Sequence, residues 1–281
     1  MSYKTILVHF SDERRLHGLL APAIVLARRF EAHVTGLAVL PPPIVEPALT
    51  PGGAGTTVIE SHRKVFAEEC LRMKERFEKA TRDAGLISEW ITDDAKPWPV
   101  LRKVVEYARV ADIIVMAQAD EDWALSAMTE GPEELVLASG RPVLIIPSRG
   151  DHIRVGERIV VAWNGRREAA RATLDALPLL EAAENVQVLC IVPDDDREAV
   201  GDVPAADLAT TLARHKVRCE ASETLRLAAG AGETLLAYVR DSRADLLVMG
   251  CYGHSRLAEF ILGGVTRHVL KNMAVPVLMS H

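Results

Sequence analysis

ADLLVMGCYGHS, residues 244–255, is the stretch that decides the fold. Its apolar run, Leu246 to Met249, has no polar alternation, as expected for a strand covered on both faces of a parallel sheet. The run ends at Gly250, Gly253 follows, and a helical pattern opens near residue 256. A strand that turns into a helix through glycines is the βα corner of a doubly wound α/β sheet. The stretch also has an echo, ADIIVMAQ at 111–118, set 133 positions earlier. Two further pairs repeat: TILVHF (5–10) with RIVVAW (158–163), and RPVLIIP (141–147) with VPVLMSH (275–281). The last pair lies 134 positions apart and the first 153. Most of the difference falls between Pro41 and Ser61, a Pro- and Gly-rich stretch that reads as a surface loop.

The chain therefore reads as two tandem copies, 1–149 and 155–281, joined by the polar linker SRGDHIRVGE at 148–157. In the second copy, strands are expected near 158–163, 186–192, 217–226, 245–249 and 275–279. Helices are expected near 166–183, 205–215, 231–242 and 256–272. Ala169, Ala172, Ala176 and Leu180 fall on one stripe of the first helix. In the first copy a longer helix covers roughly 57–84, with Phe66, Cys70, Met73 and Phe77 on a core-facing side. The fold class is α/β, two doubly wound domains, each with helices on both faces of a five-stranded parallel sheet. The apolar strands 142–146 and 275–279 would be exposed edges unless they pair or pack across a pseudo-two-fold axis within the chain.

Composition narrows the function classes. The 281 residues carry 33 Lys and Arg against 39 Asp and Glu, a net charge of -6 with no basic cluster, which argues against a nucleic-acid surface. No apolar run approaches the ~20 residues needed to cross a bilayer. MSYKTILVHFSDE reaches charged residues too early for a secretory signal. Cys70, Cys190, Cys219 and Cys251 are scattered, so a reducing cytoplasm is the expected location.

In such sheets, ligands bind beyond the carboxyl ends of the strands. In the second copy those positions hold Asn164-Gly165, then Pro193 with Asp194, Asp195 and Asp196, then the glycine turn 250–255. N–H groups at a helix start favour an anion. Gly263-Gly264 interrupts a helical pattern at a propensity cost of about 1–2 kcal/mol, so a backbone requirement is expected there.

Gly250, Gly253 and Gly263 form a G-x2-G-x9-G pattern followed by Gly264, Val265 and Thr266, with Pro276 in the trailing strand. This pattern resembles the nucleotide signature of the universal stress protein family, and the resemblance extends over both copies. It implies a five-stranded parallel sheet and a stress-response protein that binds ATP, with or without Mg2+, in the C-terminal copy. It also implies adenosine contacts at Ala162, Trp163, Asn164, Ile191 and Met249. Phosphate and ribose contacts are implied at Gly250, Gly253, Gly263, Gly264, Val265 and Thr266. No catalytic residue and no metal site are implied, turnover is expected to be slight or nil, and a homodimer beyond the intrachain pairing stays open. On this reading Gly250→Val fills space that a phosphate needs.

Two positions depart from the family pattern. Asn164 stands where the ATP-binding branch has Asp, and Gly264 where it has Ser or Thr. Gly264→Ser would restore a hydroxyl, unless a positive φ there makes a side chain costly. The first copy departs further, with Asp120, Glu121 and Asp122 in place of the glycine pair and His9-Phe10-Ser11-Asp12 after its first strand. Those carboxylates would repel a polyphosphate, so at most one nucleotide per chain is expected. Other readings remain: an interaction or small-ligand protein without nucleotide, a slow ATP hydrolase, a metal site from Cys251, His254, His268 and His281, and thiolate character at Cys251.

Overall fold

Each apolar run singled out above is a strand. The computed structural model describes residues 2–42, 54–96, 99–119, 131–192, 205–251 and 264–281, without the side chains of 54–63. The first copy runs β1 (Thr5–His9), α1 (Leu16–Phe30), β2 (His33–Leu40), α2 (Ala54–Asp83), β3 (Ser88–Asp94), α3 (Val100–Ala108), β4 (Ile113–Ala117), α4 (Pro132–Ser139) and β5 (Val143–Ile146). The second runs β6 (Arg158–Trp163), α5 (Arg167–Asp175), α6 (Leu177–Ala182), β7 (Asn185–Val192), α7 (Ala205–Arg214), β8 (Cys219–Leu225), α8 (Ala231–Asp241), β9 (Leu246–Gly250), α9 (Gly264–Asn272) and β10 (Val277–Ser280). The single helix expected over 166–183 is two. Pro178 has no N–H to donate and its ring crowds the carbonyl four residues back, so one helix ends and another opens with Pro in its first turn. The expected stripe survives the break: Ala169, Ala172, Ala176 and Leu180 are all buried.

The strands form one ten-stranded sheet in the order β3-β2-β1-β4-β5-β10-β9-β6-β7-β8. Within each copy every pairing is parallel. The copies join where β5 and β10 pair antiparallel, with Val277 opposite Ile145, Leu278 opposite Leu144 and Met279 opposite Val143. Leu144 and Leu278 are the same position of the two copies, so a pseudo-two-fold axis passes through that pair. The expected burial of these edge strands inside the chain is thus met. The outer edges differ, since β3 carries Glu89, Asp93 and Asp94, and β8 carries Glu220 and Glu223. Charges on an edge oppose further strand pairing.

Side-chain alternation feeds two core layers. Ile6, Val8, Ile159, Val161, Leu246 and Val248 meet the apolar sides of α1, α2, α5, α6 and α7. Leu7, Val160, Leu247 and Met249 meet α3, α4, α8 and α9 on the other face. The Asp in each echoed AD pair has a definite task. Asp112 Oδ2 accepts from the N–H groups of Lys4 and Thr5 at 2.7 and 2.9 Å and from Thr5 Oγ1 at 3.0 Å. Asp245, 133 residues later, accepts from the N–H groups of Gly156, Glu157 and Arg158 at 2.7, 3.0 and 3.2 Å. Each carboxylate pins the start of the central strand of its own copy. Among the described residues no helix is long and apolar enough to cross a membrane.

Candidate functional site

The carboxyl ends of β6, β7 and β9 converge with the first turn of α9, and the two-residue period of a strand decides which side chains meet there. Ala162, Ile191, Met249 and Val265 share the face covered by α8 and α9. Ala162, Ile191 and Val265 are only partly buried, so an apolar surface remains at the mouth. Trp163 is 8% exposed and packs in the opposite layer with Val161 and Ala169, so an adenosine contact there falls to its backbone. Asn164 is exposed, and its Oδ1 accepts from Arg166 N–H at 3.1 Å, closing the turn that leads into α5. Thr266 is buried in the first turn of α9, beside exposed Gly264. Gly253 and Gly263 lie outside the described residues, as do Asp120 to Asp122 and Asp194 to Asp196.

Gly250 has a different reason from the expected one. It points toward α5, where an added Cβ would stand 2.6 Å from the carbonyl carbon of Glu168 and 2.7 Å from Ala169 N. Backbone atoms cannot yield there, so glycine is needed for the helix to seat on the strand. The space it leaves is filled by protein rather than held open for a phosphate. Gly264 is the opposite case: among the described residues an added Cβ meets nothing within 4 Å.

Sequence reading missed Glu168. This carboxylate is 6% exposed in the first turn of α5, against Gly250. Burial pushes its pKa up, but the 2.6 Å contact with Arg167 Nε and its own backbone N–H outweigh that and hold it below the usual range. Its signal was an acid two residues inside a helix start, which reads first as a partner of the helix dipole.

The matching face of the first copy is closed. His9, Val39 and Met116 stand where the second copy has Ala162, Ile191 and Met249, and they are exposed by 2%, 2% and 0%. His9 Nε2 is buried without a hydrogen-bond partner among the described residues. Burial lowers the His9 pKa to about 4, so the ring is neutral. Beside it, buried Asp12 accepts from Arg14 N–H at 2.7 Å and pairs with the Arg14 guanidinium.

Thiolate character at Cys251 is also corrected: burial pushes the thiol up to about 12. The histidines considered for a metal bond elsewhere. His268 Nε2 lies 3.2 Å from Glu233, and His281 Nδ1 lies 2.8 Å from the Cys251 carbonyl oxygen. His254 lies outside the described residues, and among those described no group of three or more His, Cys, Asp or Glu is placed to hold a metal ion.

Known proteins bear on this geometry. Residues 156–281 match the model of the Universal stress protein family. A universal stress protein from Synechocystis sp. is 23% identical over 178 residues, 59% of this chain, which in turn spans 57% of that relative. A universal stress protein structure from Archaeoglobus fulgidus aligns with a TM-score of 0.69 at 17% identity, over 99% of this chain and 96% of the other. A functionally unknown protein from Pseudomonas aeruginosa aligns at 0.60 and 15%, over 99% and 92%. These structural likenesses extend the shared fold across both copies.

Proposed function

We propose, from the match of residues 156–281 to the Universal stress protein family model, that this chain is a member of that family and that its C-terminal copy is a nucleotide-binding module with one site per chain. The observation that carries this reading is the contrast between the copies. The strand-end face stays partly open at Ala162, Ile191 and Val265, whereas His9 and Val39, the counterparts of Ala162 and Ile191, are buried. An adenine ring packs on apolar surface, and the partly exposed Ala162, Ile191 and Val265 support such a contact. Gly264 and Val265, at the described start of α9, stand beside that face, and N–H groups at a helix start suit an anion. Exposed Arg166 and Arg167 add positive charge where α5 begins. ATP, with or without Mg2+, is the proposed ligand, turnover is slight or nil, and the role is that of a stress-responsive sensor.

A second reading has its own support. Gly250 is accounted for by helix packing, and the ionised Glu168 beside it disfavours a phosphate on that side of β9. Both suit a ligand with little negative charge, or a partner protein. Isothermal titration of the full chain with ATP and with adenosine, each with and without Mg2+, separates the two. One ATP per chain, bound more tightly than adenosine, supports the nucleotide reading. Adenosine binding that the phosphates weaken, or no binding of either, favours the second. Phosphate release followed over hours distinguishes a slow hydrolase from a pure binder.

A further inference from the structure

Gln118 directly follows β4 in the N-terminal copy, yet its side chain serves the C-terminal one. Nε2 donates to the carbonyl oxygens of Leu270 and Lys271, at 2.6 and 3.3 Å, in the last turn of α9. Oε1 accepts from Ser148 N–H at 2.8 Å, and the Gln118 carbonyl accepts from Arg15 at 2.9 Å. The residue is 8% exposed. Carbonyls in the last helical turn have no partner within their helix, and here an amide from the neighbouring copy supplies the donors. The corresponding residue of the second copy is Cys251, a buried thiol that carries no amide to return the contact. The joint therefore runs one way, from the first copy into α9.

The described part of α9, Gly264–Asn272, is about 13 Å long, short enough to move as a rod. Its own copy holds it through His268 and Glu233, at 3.2 Å. Its far end is the turn Gly264–Thr266. We propose that Gln118 is a positioning residue for the nucleotide site: it seats α9 from across the copy boundary and so sets where the N–H groups of that turn stand. This rests on the nucleotide reading above. The closed first copy thereby has a role in ligand binding without holding a ligand. Arg15, at the start of α1, and Ser148, after β5, make the anchor part of the first copy's own frame.

The test is Gln118→Met in the full chain, a side chain of similar length with no donor. ATP should bind roughly five-fold more weakly, the equivalent of one ordinary hydrogen bond. Adenosine, which needs only the apolar face, should bind as before, and amide exchange in 264–272 should quicken without ligand. If Gln118→Met does not fold, Gln118→Asn keeps a buried amide but shortens its reach, and carries the same comparison. Equal weakening for both ligands marks a general loss of structure and overturns the assignment. A variant that binds ATP as tightly as the wild type, with unchanged exchange, overturns it alone. A wild-type chain without affinity for ATP overturns the nucleotide reading and the positioning role with it.

Discussion

Gly250 shows how one absent side chain can answer two different demands. A ligand and a helix both ask for glycine at a strand end, and here the helix makes the demand. Gly250→Ala should therefore lower stability by about 1–3 kcal/mol with no ligand present, as overpacking does; thermal unfolding of the ligand-free variant measures this, and an unchanged midpoint would count against the close seat of α5. Gly264 has open space among the described residues, so Gly264→Ser should raise ATP affinity by about ten-fold through a hydroxyl donated to phosphate; titration of variant against wild type decides. His9 carries a pH signature. The ordinary histidine value is 6.5, and burial lowers it to about 4 in the folded chain. Between those values the unfolded chain binds the extra proton, so stability falls as pH drops through that window, by roughly 3 kcal/mol in all. His9→Leu should remove that slope, as urea unfolding at pH 7, 5 and 4 would reveal; a slope unchanged in the variant would put the titration elsewhere. Ala162, Ile191 and Met249 were singled out through the family resemblance, and strand alternation is what brings them to one face. The same alternation puts Trp163 on the other, a consequence that matching residues to a motif does not take into account. Gln118 left no local sign, since its acceptors lie 152 and 153 residues away.

Among elements, the inner strands were legible because both faces of the sheet are covered there, which makes them apolar runs; the edge strands β3 and β8 carry acids instead. The break between α5 and α6 was not, because the buried stripe continues through Ala176 to Leu180 and masks the effect of Pro178. The two Asp pins explain why the echoed segments begin with the same acid. They differ in surroundings. Burial opposes ionisation of Asp112, but the bonds from Lys4 and Thr5 prevail and lower its pKa, whereas burial prevails at Asp245 and raises it. Asp112 accepts from exposed groups and Asp245 mostly from half-buried ones. Water can replace the first set more readily, so Asp112→Ala should cost about 1 kcal/mol and Asp245→Ala about 2. Chemical denaturation of both variants gives the order, and a larger cost at Asp112 would contradict it. The Asp112 contribution is present above the ordinary carboxylate value near 4 and fades as pH falls through its lower folded value.

At the scale of the whole molecule, one sheet crosses from copy to copy without a break, so the copies should unfold together. Trp90 lies in β3 of the first copy and Trp163 in β6 of the second. Variants whose sole tryptophan is Trp90 or Trp163, with Trp98 and Trp123 also replaced, should give coincident urea unfolding curves by fluorescence; two separated transitions would mean that the β5–β10 seam is too weak to couple the halves. That seam has a further consequence. Two separate chains meeting through such a strand would associate in proportion to their concentration. Joined in one chain, the partners meet at an effective concentration in the millimolar range or above, whatever the dilution. Covalent linkage also lifts a constraint that identical subunits cannot escape, for a change in one copy need no longer appear in the other. A ring that closes a cleft on one side of the axis and an alanine that leaves it open on the other can then coexist, and a symmetric assembly of identical subunits has no means of encoding that division of labour.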